Sequence, residues 1–218
     1  MKKPPPHSVL VVLALLVSGC GGNSTPSTAS PPPVVKYEPV KPLAASVFAG
    51  QAVAVTPITL VIATDSLSGI APLNDHAATL AWADSMIAAA LTTRAPEVKW
   101  VLPPELRRIA RRAPTVAPDP DRMGQSIMRA KMEEVPDPLR GYLRSLMALV
   151  GGRMVLVPAA LNFLHEPDGQ IGAELALSMA DIRSGKVIWR TVAWAPGPTP
   201  ARALSAALAA VFPVGLGP

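Results

Sequence analysis

The chain has 218 residues, with 20 Lys and Arg against 15 Asp and Glu, for a formal net charge of +5 at pH 7. Half of it is hydrophobic and 16% is charged, which excludes a wholly disordered chain. No apolar run reaches the roughly 20 residues of a spanning helix, which excludes a polytopic membrane protein.

Residues 1–19 read as an export signal. Lys2 and Lys3 supply a positive start, Val9–Val17 is an apolar run, and the run ends in Val17-Ser18-Gly19-Cys20. That ending resembles the lipobox of bacterial lipoproteins. The resemblance implies that the Cys20 thiol is acylated and that the chain is cut between Gly19 and Cys20. The alternative is an ordinary secretory signal that happens to contain a cysteine. Cys20 is the one cysteine of the chain, so its lipidation leaves no thiol for a disulfide, a metal site or a nucleophile. Gly21 rather than Asp follows it. By likeness to proteobacterial sorting, this implies lipid anchoring on the periplasmic side of the outer membrane, with the inner membrane or the cell surface as alternatives. Removing Lys2 and Lys3 takes the net charge from +5 to +3.

Residues 20–50 follow as a lipidated cysteine and a tether rich in Gly, Ser, Thr and Pro, without hydrophobic period and stiffest at Pro31–Pro33. The folded domain is expected over residues 51–218. Its first segment, Gln51–Ala63, is apolar and β-branched, and reads as a buried strand that ends or bulges near Pro57. After a loop, Asp75 is a candidate N-cap for a helix from His76 to about Thr93. Leu80, Ala83, Ile87, Ala90 and Leu91 form its inward stripe, and Asp84 is expected to face out. Glu97–Leu102 reads as a short strand. Pro103-Pro104 then opens a helix through Arg112, because proline is tolerated in a first turn.

The stretch 113–121 is proline-broken, and a weak helix is expected between Arg122 and Glu134. Pro138–Val150 shows the clearest helical period: Leu139, Tyr142, Leu143, Leu146, Met147 and Val150 share one face, and Gly151-Gly152 stops it. The last third reads as a meander of three strands, Arg153–Leu164, Gln170–Ile182 and Val187–Ala195, with turns at 166–169 and 183–186. A helix over Pro200–Phe212 closes the chain. The order β-α-β-α-(α)-β-β-β-α predicts a single small α+β domain whose mixed sheet is covered by helices on one face.

The phrase Asp181-Ile182-Arg183-Ser184-Gly185-Lys186-Val187-Ile188-Trp189 and the strand Val53-Ala54-Val55-Thr56-Pro57-Ile58 resemble a group of envelope proteins. The group comprises the curli-secretion lipoproteins, the outer-membrane lipoprotein activators of peptidoglycan synthases, and the amino-terminal domain of TolB. The resemblance implies a small α/β domain over about residues 51–212 that binds another envelope protein without catalysis. The segment 112–137 is proline-broken and charged, unlike the two long amphipathic hairpins of the curli-secretion pore, so a pore is not expected.

Catalytic groupings are weak. His76 lies near Ser66 and Asp84 in sequence, which would allow a Ser-His-Asp set for a periplasmic hydrolase; a capped helix start is the plainer reading. His165, Glu166 and Asp168 fall on a turn, where polar residues are ordinary, so no metal and no cofactor is expected. Arg107, Arg108, Arg111 and Arg112 crowd one helix and, with Trp194, are the candidate partner-binding residues, since Arg and Trp dominate interface energetics. Trp189 and Trp194 are five positions apart and should point to opposite faces of their strand. Export argues against a nucleic-acid partner. The expected role is a membrane-anchored, non-catalytic protein-binding module in envelope assembly or maintenance, with an auxiliary subunit of an envelope transport complex as the second reading.

Overall fold

The structure is a computed structural model and describes residues 38–213. The signal segment, Gly19, Cys20 and the tether up to residue 37 lie outside the described residues. Six strands form one mixed sheet: β1 (Ala52–Val55), β2 (Val61–Ala63), β3 (Lys99–Val101), β4 (Met154–His165), β5 (Ile171–Asp181) and β6 (Lys186–Gly197). Four α-helices accompany them: α1 (His76–Arg94), α2 (Pro103–Arg112), α3 (Leu139–Val150) and α4 (Pro200–Val211). The domain is α+β, as its pattern of early helices and late hairpins predicts.

The sheet order is β3-β1-β4-β5-β6, parallel across β3, β1 and β4 and antiparallel across β4, β5 and β6. The segment 51–63 forms two strands rather than one. Both run parallel to β4, β1 opposite Met154–Leu156 and β2 opposite Leu161–Phe163. Proline lacks an N–H and interrupts a ladder, so Pro57 splits what would be one long strand. Pro158 bends β4 at the matching place, with a bulge between Pro158 and Ala160.

Both faces of the sheet are covered, which corrects the expectation of one. On the first face, α1 and α4 pack Ile87, Leu91, Leu204 and Leu208 against Val53, Leu156, Phe163, Leu175 and Leu177. On the second, Leu106 of α2 and Leu143 and Leu146 of α3 pack with Met123 and Met128 against Ala54, Val155, Val157, Ala176 and Ala180. The alternation along β5 explains this. Ile171, Ala173, Leu175, Leu177 and Met179 face the first layer, and small Ala176 and Ala180 let the second layer sit close.

Elsewhere, Asp75 accepts from Ala78 N at 2.7 Å, capping α1 as expected. Gly151 closes α3 at φ 77°, the left-handed conformation that glycine adopts freely. Residues 120–129 form two short 3-10 turns, Pro120–Arg122 and Gln125–Arg129, in place of the weak helix expected there. Tyr142, placed by period on the inward stripe of α3, is 39% exposed at its margin.

The packed domain also reaches further towards the N-terminus than residue 51. Leu43 and Phe48 are buried in the first layer, Val40 packs against it, and Leu43 N donates to Val211 O at 2.9 Å beside the end of α4. These apolar residues are scattered among prolines without a period, so no pattern separates them from a linker.

Candidate functional site

The arginines of α2 divide by role. Arg107 points into the protein. Its NH2 donates to Asp84 Oδ2 at 2.9 Å and to Asp121 Oδ1 at 2.7 Å, and its Nε donates to Asp121 Oδ2 at 2.9 Å. Asp84 is 6% exposed, on the inward side of α1, which corrects its expected outward orientation. Its second oxygen, Oδ1, accepts from Ile58 N at 2.8 Å, just past the proline break in the first strand pair. Burial pushes the Asp84 carboxyl above the usual carboxylate range, while the Ile58 N–H and Arg107 work in the opposite direction. The hydrogen bond from Arg107 to Asp121, reinforced by Asp84, holds the guanidinium charged.

Buried Gln125 secures the same break. Its Nε2 donates to both Pro57 O and Pro120 O at 2.9 Å. The interrupted β1–β2 segment is thus tied to α1, α2 and the 120–129 turns by polar side chains. Sequence reading missed this junction.

Arg108, Arg111 and Arg112 lie on the solvent side of α2. Arg108 pairs with Glu105 one turn earlier, and that bond lowers the Glu105 carboxyl. Arg111 and Arg112 make no ion pair among the described residues. Arg111 lines a shallow hollow with Pro114, Ala117 and Pro118. A second hollow, between the 115–118 loop and α3, is lined by Val116, 57% exposed, and by Pro138, Gly141 and Tyr142. The apolar exposure of Val116 and Tyr142 was not anticipated.

The Ser66, His76 and Asp84 grouping does not assemble from these elements. His76 is exposed in the first turn of α1, while Asp84, two turns on, is committed to Arg107 and Ile58 N. Ser66 is exposed, its hydroxyl 3.3 Å from that of Thr64. Glu166 and Asp168 serve the β4–β5 turn: Gly169 N donates to Glu166 O and Gln170 N to Asp168 Oδ1, each at 3.0 Å. No group of three potential metal-binding His, Cys, Asp or Glu occurs among the described residues.

Trp189 and Trp194 do face opposite ways. Trp189 packs on the first layer, opposite Met179, while Trp194 stands opposite Glu174. Gly172 leaves room there: a Cβ on it would lie 2.5 Å from Glu166 Oε1 and 2.8 Å from Trp194 Nε1. Trp194 is therefore half-buried in a local cluster with Glu166 and is not a freely presented ring. At the opposite end of β5, Asp181 accepts from Arg153 and from Arg183 N, which lowers its carboxyl and fixes the β5–β6 turn.

No family model matches the sequence, and no curated protein matches it either. Among solved structures, the LpoB C-terminal domain from Salmonella enterica aligns at 14% identity and a TM-score of 0.42, covering 68% of this chain and 84% of that one. A PelC dodecamer from Paraburkholderia phytofirmans aligns at 14% identity and a TM-score of 0.38, covering 81% and 97%. Lipoprotein GNA1162 from Neisseria meningitidis aligns at 14% identity and a TM-score of 0.34, covering 68% and 81%. LpoB and GNA1162 belong to the group of envelope lipoproteins that the sequence resembles. With TM-scores below 0.5, these three likenesses say nothing of what this chain binds.

Proposed function

We propose that this chain is a lipoprotein anchored through Cys20 at the periplasmic side of the outer membrane, and that its α+β domain is a non-catalytic protein-binding module of the cell envelope. The lipobox-like ending Val17-Ser18-Gly19-Cys20 supports the anchor. The observation that carries the choice of module over hydrolase is the position of Asp84. The acid of the one catalytic grouping in the sequence is buried and spent on Arg107 and the Ile58 N–H. In a Ser-His-Asp set the aspartate must hold the imidazole of the histidine base, and this carboxylate is held instead by Arg107 and the Ile58 N–H.

The partner face in this reading is the outer side of α2. Arg108, Arg111 and Arg112 give it positive charge, and the apolar hollow at Val116 and Tyr142 adjoins the loop that follows the helix. Charged rims steer association and apolar centres hold it. Arg107 supports this face from beneath, and Trp194 belongs to a separate surface beside Glu166.

Affinity capture from solubilised membranes tests the proposal. Wild-type protein should retain a stoichiometric protein partner, and Arg108→Ala/Arg111→Ala/Arg112→Ala should lose it with its unfolding midpoint unchanged. Turnover of a substrate by purified protein, abolished by His76→Ala at unchanged stability, would establish the hydrolase instead.

A further inference from the structure

The second covering layer stops partway along the sheet. It reaches the cross-strand row of Ala160, Ala176 and Val192. The next row on the same face is Ile62 of β2, Asn162 of β4, Glu174 of β5 and Trp194 of β6, each directly opposite the next. Paired positions share a face, so these four side chains stand side by side, and neither packed layer includes them. Ile62 is 49% exposed. One row further, Leu164, Gly172 and Pro196 end the face. A Cβ on Gly172 would lie 2.5 Å from Glu166 Oε1, so the Glu166 carboxylate comes over this position, beside Glu174.

Two carboxylates therefore lie along β5 on a face that supplies no cation. β2, β4 and β5 contain no Lys or Arg, and neither Glu166 nor Glu174 forms an ion pair among the described residues. Glu174 is half-buried, and its Oε1 accepts from Asn162 Nδ2 at 2.8 Å. The other end of that amide, Asn162 Oδ1, is buried and has no donor among the described residues. Drawing carboxylates and an amide oxygen out of water is costly unless donors meet them. These oxygens only accept, and a guanidinium only donates, through five N–H groups in one plane. It also gives up its water more readily than an ammonium does, which suits a half-buried site.

We propose that this open end of the sheet face binds an arginine of a protein partner. The guanidinium lies between Glu166 and Glu174 and within reach of Asn162 Oδ1, and an apolar neighbour of that arginine rests on Ile62. Charge complementarity selects the occupant, since the acceptors here are matched by no cation of the chain itself. The outer side of α2 is basic, so the two surfaces select segments of opposite charge.

Titration of the isotope-labelled full chain with the peptide N-acetyl-Leu-Arg-Leu amide, followed by NMR, tests the site. Saturable shifts should concentrate at the Asn162 side-chain amide and at Ile62 and Glu174. Replacing the peptide's arginine by citrulline keeps its shape and removes its charge, and should weaken binding by roughly tenfold or more. Glu174→Gln and Glu166→Gln should weaken it likewise. Arg108→Ala/Arg111→Ala/Arg112→Ala should bind the peptide as wild type does, because the site stands apart from the α2 face. Equal binding of the citrulline peptide, or no saturable shift at Asn162 and Glu174, overturns the proposal. Shifts at the same residues from chitotriose that persist in Glu174→Gln also overturn it, because the face then recognises a glycan.

Discussion

Asp84 and Arg107 form an ion pair of 2.9 Å between α1 and α2 in which the carboxylate side chain is 7% exposed and the guanidinium 30%. The asymmetry makes Arg107 the dispensable-looking partner and Asp84 the vulnerable one. Arg107→Ala leaves a buried carboxylate with one remaining donor, the Ile58 N–H, and should cost on the order of 3 kcal/mol in urea unfolding. Arg111→Ala, on the solvent side of the same helix, should stay within about 0.5 kcal/mol of wild type.

The acid limb of stability separates the same carboxylate from Asp181. Asp84 has a folded pKa raised by burial, so the native state holds its proton more tightly than the unfolded chain. Its contribution is fully present below the ordinary carboxylate pKa of about 3.9 and is lost as pH rises through its folded value. Asp181 is lowered by Arg153, so its contribution is present above about 3.9 and is lost as pH falls through its folded value. Unfolding measured from pH 7 to pH 3 should therefore show wild type gaining on Asp84→Asn as pH falls, and losing its advantage over Asp181→Asn.

Asp84 also shows how far the sequence can be read. It lies four residues after Leu80 and three before Ile87, so helical spacing puts it on the inward face. Its charge alone argued for solvent, and that argument fails when a partner from another element enters the same space. Arg107 is 23 positions away, beyond the range of any local pattern. α3 and β5 were legible because one period ran through each of them, and α1 because Asp75 marks its start. The second covering layer had a fainter signal, the small residues Ala176, Ser178 and Ala180, which indicate close packing as readily as an open face. The hollow at Val116 and Tyr142 comes from a proline-rich loop laid against α3, and no periodicity encodes that.

The start of the domain can be tested at Leu43, which is buried under the end of α4. If residues 40–48 belong to the fold, Leu43→Ala should destabilise by about 2–4 kcal/mol. A tether residue would show no change in thermal or urea unfolding.

Gly185 tests the β5–β6 turn. Its φ is +79°, and a Cβ there would run into the guanidinium of Arg140, which donates to Ser184 O at 2.9 Å. Gly185→Ala combines backbone strain with the loss of that contact and should cost about 1–3 kcal/mol. Arg140→Ala should relieve the steric part, so the double mutant should be more stable than the sum of the single changes predicts.

The most direct measurement on the whole account is intact mass of the protein extracted from cells, together with its partition between membrane and soluble fractions. A lipoprotein anchored at Cys20 should begin at that residue, carry the mass of acyl chains and sediment with membranes, while Cys20→Ser should remain unacylated and leave the outer membrane. A native chain that keeps a free Cys20 thiol and is recovered in the soluble fraction would contradict it.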